Sequence, residues 1–352
     1  MSSINKFVDI EFKKLECINK YSSIPEIKDM LIYAISGGKN LRSKIFLELV
    51  DIWLFFVLKS SSLDEDFKTV KELIQGCFVT IEFTHIASLI LDDCPAMDND
   101  YLRRDKPSFH AKYGVAKAQM CSLILIEIAQ KAFSDNILKL YEMKFYSAED
   151  LIDIKTNFDI NLGEKGLCGG QLLDLFFLKT EPSYKKYLKM IKYKTGRLFE
   201  LSFVLPYILC KKFVVMSSRD SSLTSLYTER EVKAESLVKV IGSFSTSLSL
   251  STDKDKDLSI DKDKDLSIDK MEDLSIDKME DPIQDIKRCG KILGLIFQIR
   301  DDMFDNDEDL NCNNILNYKT RDEVKNIIIP DLINRFNSLN KVNIPNSIKE
   351  YL

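Results

Sequence analysis

Two apolar stretches of this chain each end in a cluster of aspartates, and that pairing constrains the fold more than any other feature. The first, "LIQGCFVTIEFTHIASLIL", runs into "DDCPAMDND" and carries Asp92, Asp93 and Asp98. The second, "GLIFQIRDDMFD", closes on Asp301, Asp302 and Asp305. Apolar residues recur at three- and four-residue steps, and in the first stretch almost all round, as in a helix buried on every side. Pro95 removes a backbone donor and should distort the turn that follows. Asp301 and Asp305 are four apart and share a helix face. A helix C-terminus is already negative, so carboxylates buried there repel one another unless cations sit between them. Two such helices can point both clusters at one cavity. Mg²⁺ suits that arrangement, because it takes carboxylate oxygens and keeps its other positions for water or phosphate. Arg103 and Arg104 follow the first cluster, and guanidinium forks match phosphate oxygens.

The rest of the chain agrees with an all-α fold. Only 12 Gly and 8 Pro interrupt it, and no ladder of alternating strands is visible. Gly37-Gly38 reads as the stop of the helical stripe in "EIKDMLIYAIS". The 352 residues are expected to form one large helical bundle around a central cavity. A net charge of -5 and the lack of a basic tract argue against a nucleic-acid surface. The 8 cysteines include no CxxC pair, so buried reduced thiols are expected rather than disulfides or zinc. The first twenty residues have no long apolar core and contain acids, so neither a secretory signal nor a transit peptide is expected. Apolar runs such as "LVDIWLFFVL" carry a charge and fall short of a bilayer span, so no transmembrane segment is expected and a cytoplasmic location follows.

One segment departs from this pattern. From Asp253 the chain reads "DKDKDLSI" twice, then "DKMEDLSI" and a truncated "DKMED". These repeats, 253–281, are charged and without aromatics, as in a solvated insertion. A loop insertion is expected over about 212–285, partly helical around "TEREVKAESLVKVIGSF".

Two shorter motifs add cations. In "SGGKNLRSKIF", Lys39 and Arg42 lie three apart at a helix start and could grip a diphosphate. In "KTGRLFELS", Lys194 and Thr195 offer a cation and a hydroxyl. Each motif alone is weak.

Taken in order, "GGKNLR", "LDDCPAMDNDYLRRDKPSFH", "GLCGGQLLDL", "KTGRLFE" and "GLIFQIRDDMFD" resemble the successive blocks of the trans-prenyltransferase (polyprenyl diphosphate synthase) family, from about Leu31 to Asp305. The resemblance implies the isoprenoid synthase fold. It implies Mg²⁺-dependent condensation of isopentenyl diphosphate with an allylic diphosphate, in a homodimer. Asp92, Asp98 and Asp301 would hold Mg²⁺, with Asp93, Asp302 and Asp305 supporting or sharing ligation. Arg103, Lys194 and Thr195 would hold the allylic diphosphate, with Gln298 near the reacting end. Lys39, Arg42, His85 and Arg104 would hold isopentenyl diphosphate, and Gln171 and Asp174 would line the cavity and support that network. His110 matches a family position and is expected to make a structural hydrogen bond.

The chain departs from the family pattern at several points. Leu91 stands where the family usually has His, Asp105 where it has Gly, and Tyr101 where an acid is common. The Gly-Lys-Asp that usually follows the second aspartate motif is not evident. Ala87 and Ser88, one turn before Asp92, are expected to face the growing product. Both are small, which implies a C20 product, geranylgeranyl diphosphate. Farnesyl diphosphate synthase, a non-catalytic regulatory subunit of a heteromeric synthase, and a terpene cyclase are the other readings.

Overall fold

The computed structural model describes residues 3–58, 65–159, 161–177, 182–218, 282–304 and 314–339. The chain begins with α1 (Ser3–Tyr21), α2 (Pro25–Ile35), α3 (Leu41–Leu58), α4 (Glu65–Gly76) and α5 (Phe78–Asp92). The short α6 (Phe109–Tyr113) and the long α7 (Val115–Glu142) follow, then α8 (Ala148–Asp159) and α9 (Leu167–Leu172). The described part ends with α10 (Tyr184–Ile191), α11 (Arg197–Ser218), α12 (Pro282–Phe304), α13 (Arg321–Glu323) and α14 (Ile329–Ser338). This is the all-α architecture that the aspartate-capped helices required.

Local chemistry explains several boundaries. Pro25 opens α2, where its missing N–H costs nothing. The helix stops at Ile35, and Gly37 and Gly38 continue at φ 83° and 99°, as the glycine pair predicted. Ser183 caps α10 by accepting from the Lys186 N–H, and Thr320 and Glu323 form a capping box. α5 is buried along most of its length and packs most extensively on α7; α3 and α12 both pack on α11. Phe46, Phe78, Phe83, Phe199, Phe203 and Phe336 fill the spaces between these helices and are almost wholly buried. The helical run Lys68–Asp92 is apolar and long enough to cross a membrane, but 67% of its apolar window is buried inside the bundle. Its length exceeds what the sequence suggested, and its packing is that of a core helix.

Two features differ from expectation. A small antiparallel hairpin pairs Leu102 with Pro107 and Arg103 with Lys106. Its turn residues, Arg104 and Asp105, take φ of 55° and 60°, the left-handed pair that a two-residue hairpin loop needs. The expected insertion is also too wide. Residues 212–218 complete α11, and α12 already begins at Pro282. Asp285 is 9% exposed and pairs with Arg288 at 3.0 Å, so the second flank belongs to the bundle. The repeats at 253–281 lie outside the described residues.

Candidate active site

The ends of α5 and α12, the loop before α3, the hairpin and the α9 and α10 segments enclose a cavity of about 1000 Å³. Lys39, Arg42, His85, Ser88, Asp92, Arg103, Arg104, Gln171, Lys194, Thr195, Gln298 and Asp301 all line it. Residues far apart in sequence thus meet as the motifs anticipated. Leu91, Ile126, Leu162, Leu175, Phe176 and Phe297 supply an apolar wall.

One side of the cavity is cationic. Arg42 is 8% exposed. Its Nη1 lies 3.1 Å from His85 Nε2, and its guanidinium stacks on Phe199 at 4.4 Å. Its Nε is buried without a hydrogen-bond partner among the described residues. Burial lowers the Arg42 pKa to about 10, against the pull of Glu82, and leaves it charged at neutral pH. Burial also holds His85 well below its ordinary value, and Arg42, Arg104 and Arg103 push the same way, so the imidazole is neutral. Gly38 makes room for Arg104: a Cβ there would come within 2.7 Å of its guanidinium.

The other side is acidic. Burial raises the Asp92 pKa to about 6, with Asp98 and Asp174 adding to the rise while Lys194 and Arg103 oppose it. Asp98 is exposed and does not line the cavity, and its N–H bonds to the Asp92 carbonyl at 2.9 Å. Burial raises its pKa too. Lys194 pairs with the buried Asp174. Desolvation opposes its charge, but Asp92, Asp174 and Asp98 together raise its pKa. Asp174 does not line the cavity, and its pair is with Lys194 rather than with the Lys39, Arg42, His85 and Arg104 group it was expected to support. Asp174 and Lys194 sit on π-helical turns, Leu173–Phe177 and Lys192–Gly196. α9 meets the second of these turns at Gly170, where a Cβ would fall 2.1 Å from the Lys194 backbone nitrogen, so only glycine allows the approach.

Several expected ligands face elsewhere. Asp93 is 2% exposed and is held by Arg103, whose Nε donates to its carboxylate at 3.0 and 3.3 Å while Nη2 makes a further short contact. Asp302 is buried away from the cavity. Its Oδ1 accepts from Gln298 Nε2 at 2.9 Å, and its Oδ2 from Tyr187 Oη at 2.7 Å and the Ile315 N–H at 2.9 Å. Thr195 Oγ1 in turn donates to Gln298 Oε1 at 2.7 Å. Asp93 and Asp302 therefore orient neighbours, because hydrogen bonds already occupy their oxygens. Ala87 is fully buried rather than facing the cavity, its carbonyl accepting from Ser122 of α7. Only Ser88 of that pair reaches the wall. Asp305 lies outside the described residues. His110 makes its structural bond, to the Asp100 carbonyl at 2.9 Å.

The donor set fits a hard divalent cation held with phosphate. No three His, Cys, Asp or Glu among the described residues could enclose a metal by themselves. Mg²⁺ requires no such cage, since it keeps several positions for water and substrate oxygens. Burial is the main cause of the raised Asp92 pKa, with Asp98 and Asp174 adding to it, and a cation held there would favour the carboxylate.

The polyprenyl synthetase family model matches residues 24–225, more than half of the chain. The chain belongs to the polyprenyl synthetase family. The chain is 30% identical to farnesyl diphosphate synthase of Buchnera aphidicola subsp. Acyrthosiphon pisum over 191 residues, 53% of the chain and 60% of the relative. It is 34% identical to farnesyl diphosphate synthase of Escherichia coli K12 over 155 residues, 44% and 46% of the two chains. The match thus spans about half the length of these curated relatives. Among solved structures, an FPP/GFPP synthase from Zymomonas mobilis superposes with a TM-score of 0.60 at 19% identity, covering 99% of this chain and 96% of its own. A geranyltransferase from Helicobacter pylori, complexed with magnesium and isoprenyl diphosphate, gives 0.53 at 18% identity, covering 100% and 91%. These likenesses establish the isoprenoid synthase fold. The Asp301 cluster lies beyond the stretch that the family model matches, and the cavity joins it to Asp92.

Sequence reasoning missed four residues in or around this cavity. Glu82 lines the cavity, is 2% exposed and accepts from Ser43 Oγ. A lone acid inside the apolar "VTIEFTH" was the available signal. Phe199 and Tyr187 carried none, since each acts through a residue distant in sequence, and Asn40 lies inside "GGKNLR" but takes its partners from α1.

Proposed function

We propose that the protein is a Mg²⁺-dependent prenyltransferase that condenses isopentenyl diphosphate with an allylic diphosphate. The observation that carries this reading is one cavity with a cationic wall, an acidic mouth and an apolar remainder. Arg42, Arg104, Lys39 and the neutral His85 bind the isopentenyl diphosphate. Lys194 and Arg103 hold the allylic diphosphate, and Thr195 joins them once its hydroxyl turns from Gln298 Oε1, to which it donates here. Asp92, Asp98 and Asp301 are the residues that would hold Mg²⁺, which supplies Lewis-acid neutralisation of the departing diphosphate. Asp305 is assigned to the same cluster from its sequence position. The apolar wall keeps water from the allylic cation, and Gln171 closes the same side of the cavity.

Geranylgeranyl diphosphate is the product this reading favours, because Ser88 leaves the wall open at the turn below Asp92. Farnesyl diphosphate is the second reading, favoured by the names of both curated relatives. A homodimer in the cytoplasm completes the proposal. Met120 and Leu123, 55% and 56% exposed and three apart on α7, suit a second copy. Purified protein given isopentenyl and farnesyl diphosphates with Mg²⁺ should yield a C20 diphosphate. A C15 product from geranyl diphosphate with no further growth would select the second reading. No elongation of any allylic partner would overturn both.

A further inference from the structure

The loop that presents Lys39 and Arg42 is fastened to a helix that no motif of the site includes. Lys14, on α1, is 0% exposed. Its Nζ donates to Glu11 Oε1 at 2.9 Å and to Asn40 Oδ1 at 3.2 Å. Asn40 Nδ2 donates to the same Glu11 oxygen at 2.6 Å, so the three side chains close a triangle. Asn40 stands between Lys39 and Arg42 and is 3% exposed. Its φ is 48°, a conformation that asparagine tolerates better than most residues. Its carbonyl accepts the Lys44 N–H at 2.9 Å, so it also begins α3. The backbone of Asn40 therefore sets how Lys39 leaves the loop and how Arg42 enters the helix.

A wholly buried lysine is costly, and an apolar side chain of its size would often serve stability as well. Its charge has a use if it fixes a polar loop in one conformation. On the basis of the function proposed above, we infer that Lys14 and Glu11 are positioning residues for isopentenyl diphosphate, acting through Asn40 on Lys39 and Arg42. The clamp touches neither Lys194 nor the aspartates, so its influence is confined to one of the two substrates.

Two variants test the clamp. Asn40→Gly keeps the left-handed backbone and the helix start but removes both side-chain bonds. Lys14→Met keeps the buried bulk and removes the charge. Each should raise KM for isopentenyl diphosphate about tenfold, the scale expected for losing a charge-assisted hydrogen bond. kcat and KM for the allylic substrate should stay within about twofold of the wild type, and circular dichroism should show an unchanged fold. If Lys14→Met does not fold, Asn40→Gly decides alone. Unchanged KM in folded, active variants would overturn the clamp and leave the proposed function standing. So would an equal loss on both substrates, the pattern of general destabilisation. A wild type that elongates nothing would overturn the proposed function and the clamp with it.

Discussion

Arg42 donates through Nη1 to His85 Nε2 at 3.1 Å, so a permanent cation is bonded to an imidazole held neutral by burial and by three guanidinium groups. Acceptance at Nε2 assigns the ring proton to Nδ1. His85→Gln keeps an acceptor for Arg42 and should raise KM for isopentenyl diphosphate only about twofold. His85→Leu strands a second buried donor of Arg42 and should raise it about tenfold or more. Steady-state kinetics with isopentenyl diphosphate varied would separate them. A break in KM near pH 6.5 that vanishes in His85→Gln would contradict the neutral imidazole.

The Asp92 pKa, raised to about 6 from 3.8, gives the metal-free protein a definite pH dependence. Between these values the folded state holds a proton that the unfolded chain has released. Stability from this group is therefore full below pH 3.8 and is lost as pH rises through about 6. Burial shifts Asp98 and Asp93 in the same direction. Without Mg²⁺ at pH 7, Asp92→Asn should melt roughly 2–5 °C above the wild type, with the gap closing towards pH 4. Saturating Mg²⁺ with diphosphate should reverse the order, because only the carboxylate gains from the cation. Differential scanning calorimetry across pH 4–7 would check both signs.

Asp105 occupies the second turn position of the hairpin at φ 60°, where glycine pays no steric penalty. Asp105→Gly should stabilise the protein by roughly 0.5–1 kcal/mol and leave kinetic constants unchanged. Thermal melting would read the gain. A loss would mean that the aspartate side chain outweighs the backbone strain.

Ser88 lines the cavity, whereas Ala87 is fully buried beside α7. Ser88→Phe should therefore shorten the main product, read by chromatography of the dephosphorylated alcohols. Ala87→Phe should instead cost about 1–3 kcal/mol of stability through overpacking. Shortening by Ala87→Phe alone would assign the product wall to the other side of α5.

The sequence made the helices and the cavity lining legible, because apolar periodicity and aspartate clusters are local signals. It did not separate Asp92 from Asp93, or Asp301 from Asp302. Adjacent helical residues project about 100° apart, and only the packing decides which of each pair meets the cavity. In both pairs the second aspartate turned inward to partners from other segments, Arg103 in one case and Tyr187 in the other. The hairpin was hidden because its turn carries no glycine. The insertion was drawn too wide because its charged repeats are conspicuous while the ends of α11 and α12 are not. Lys14 sits in the unremarkable "EFKKLE", and its role depends on a contact 26 residues away.

The π-helical turn Lys192–Gly196 acts as a phase shifter. One additional residue in a turn rotates everything after it by about 100° relative to an uninterrupted α-helix. α10 and α11 can thus each keep an apolar face on the bundle although their sequences are out of step, and the mismatch falls on the stretch that holds Lys194 and Thr195. Deleting one residue there would restore a regular spiral and force a choice between the core of α11 and the cavity-lining positions of Lys194 and Thr195. In this segment the angular offset between two helices, more than the identity of any side chain, places the cation.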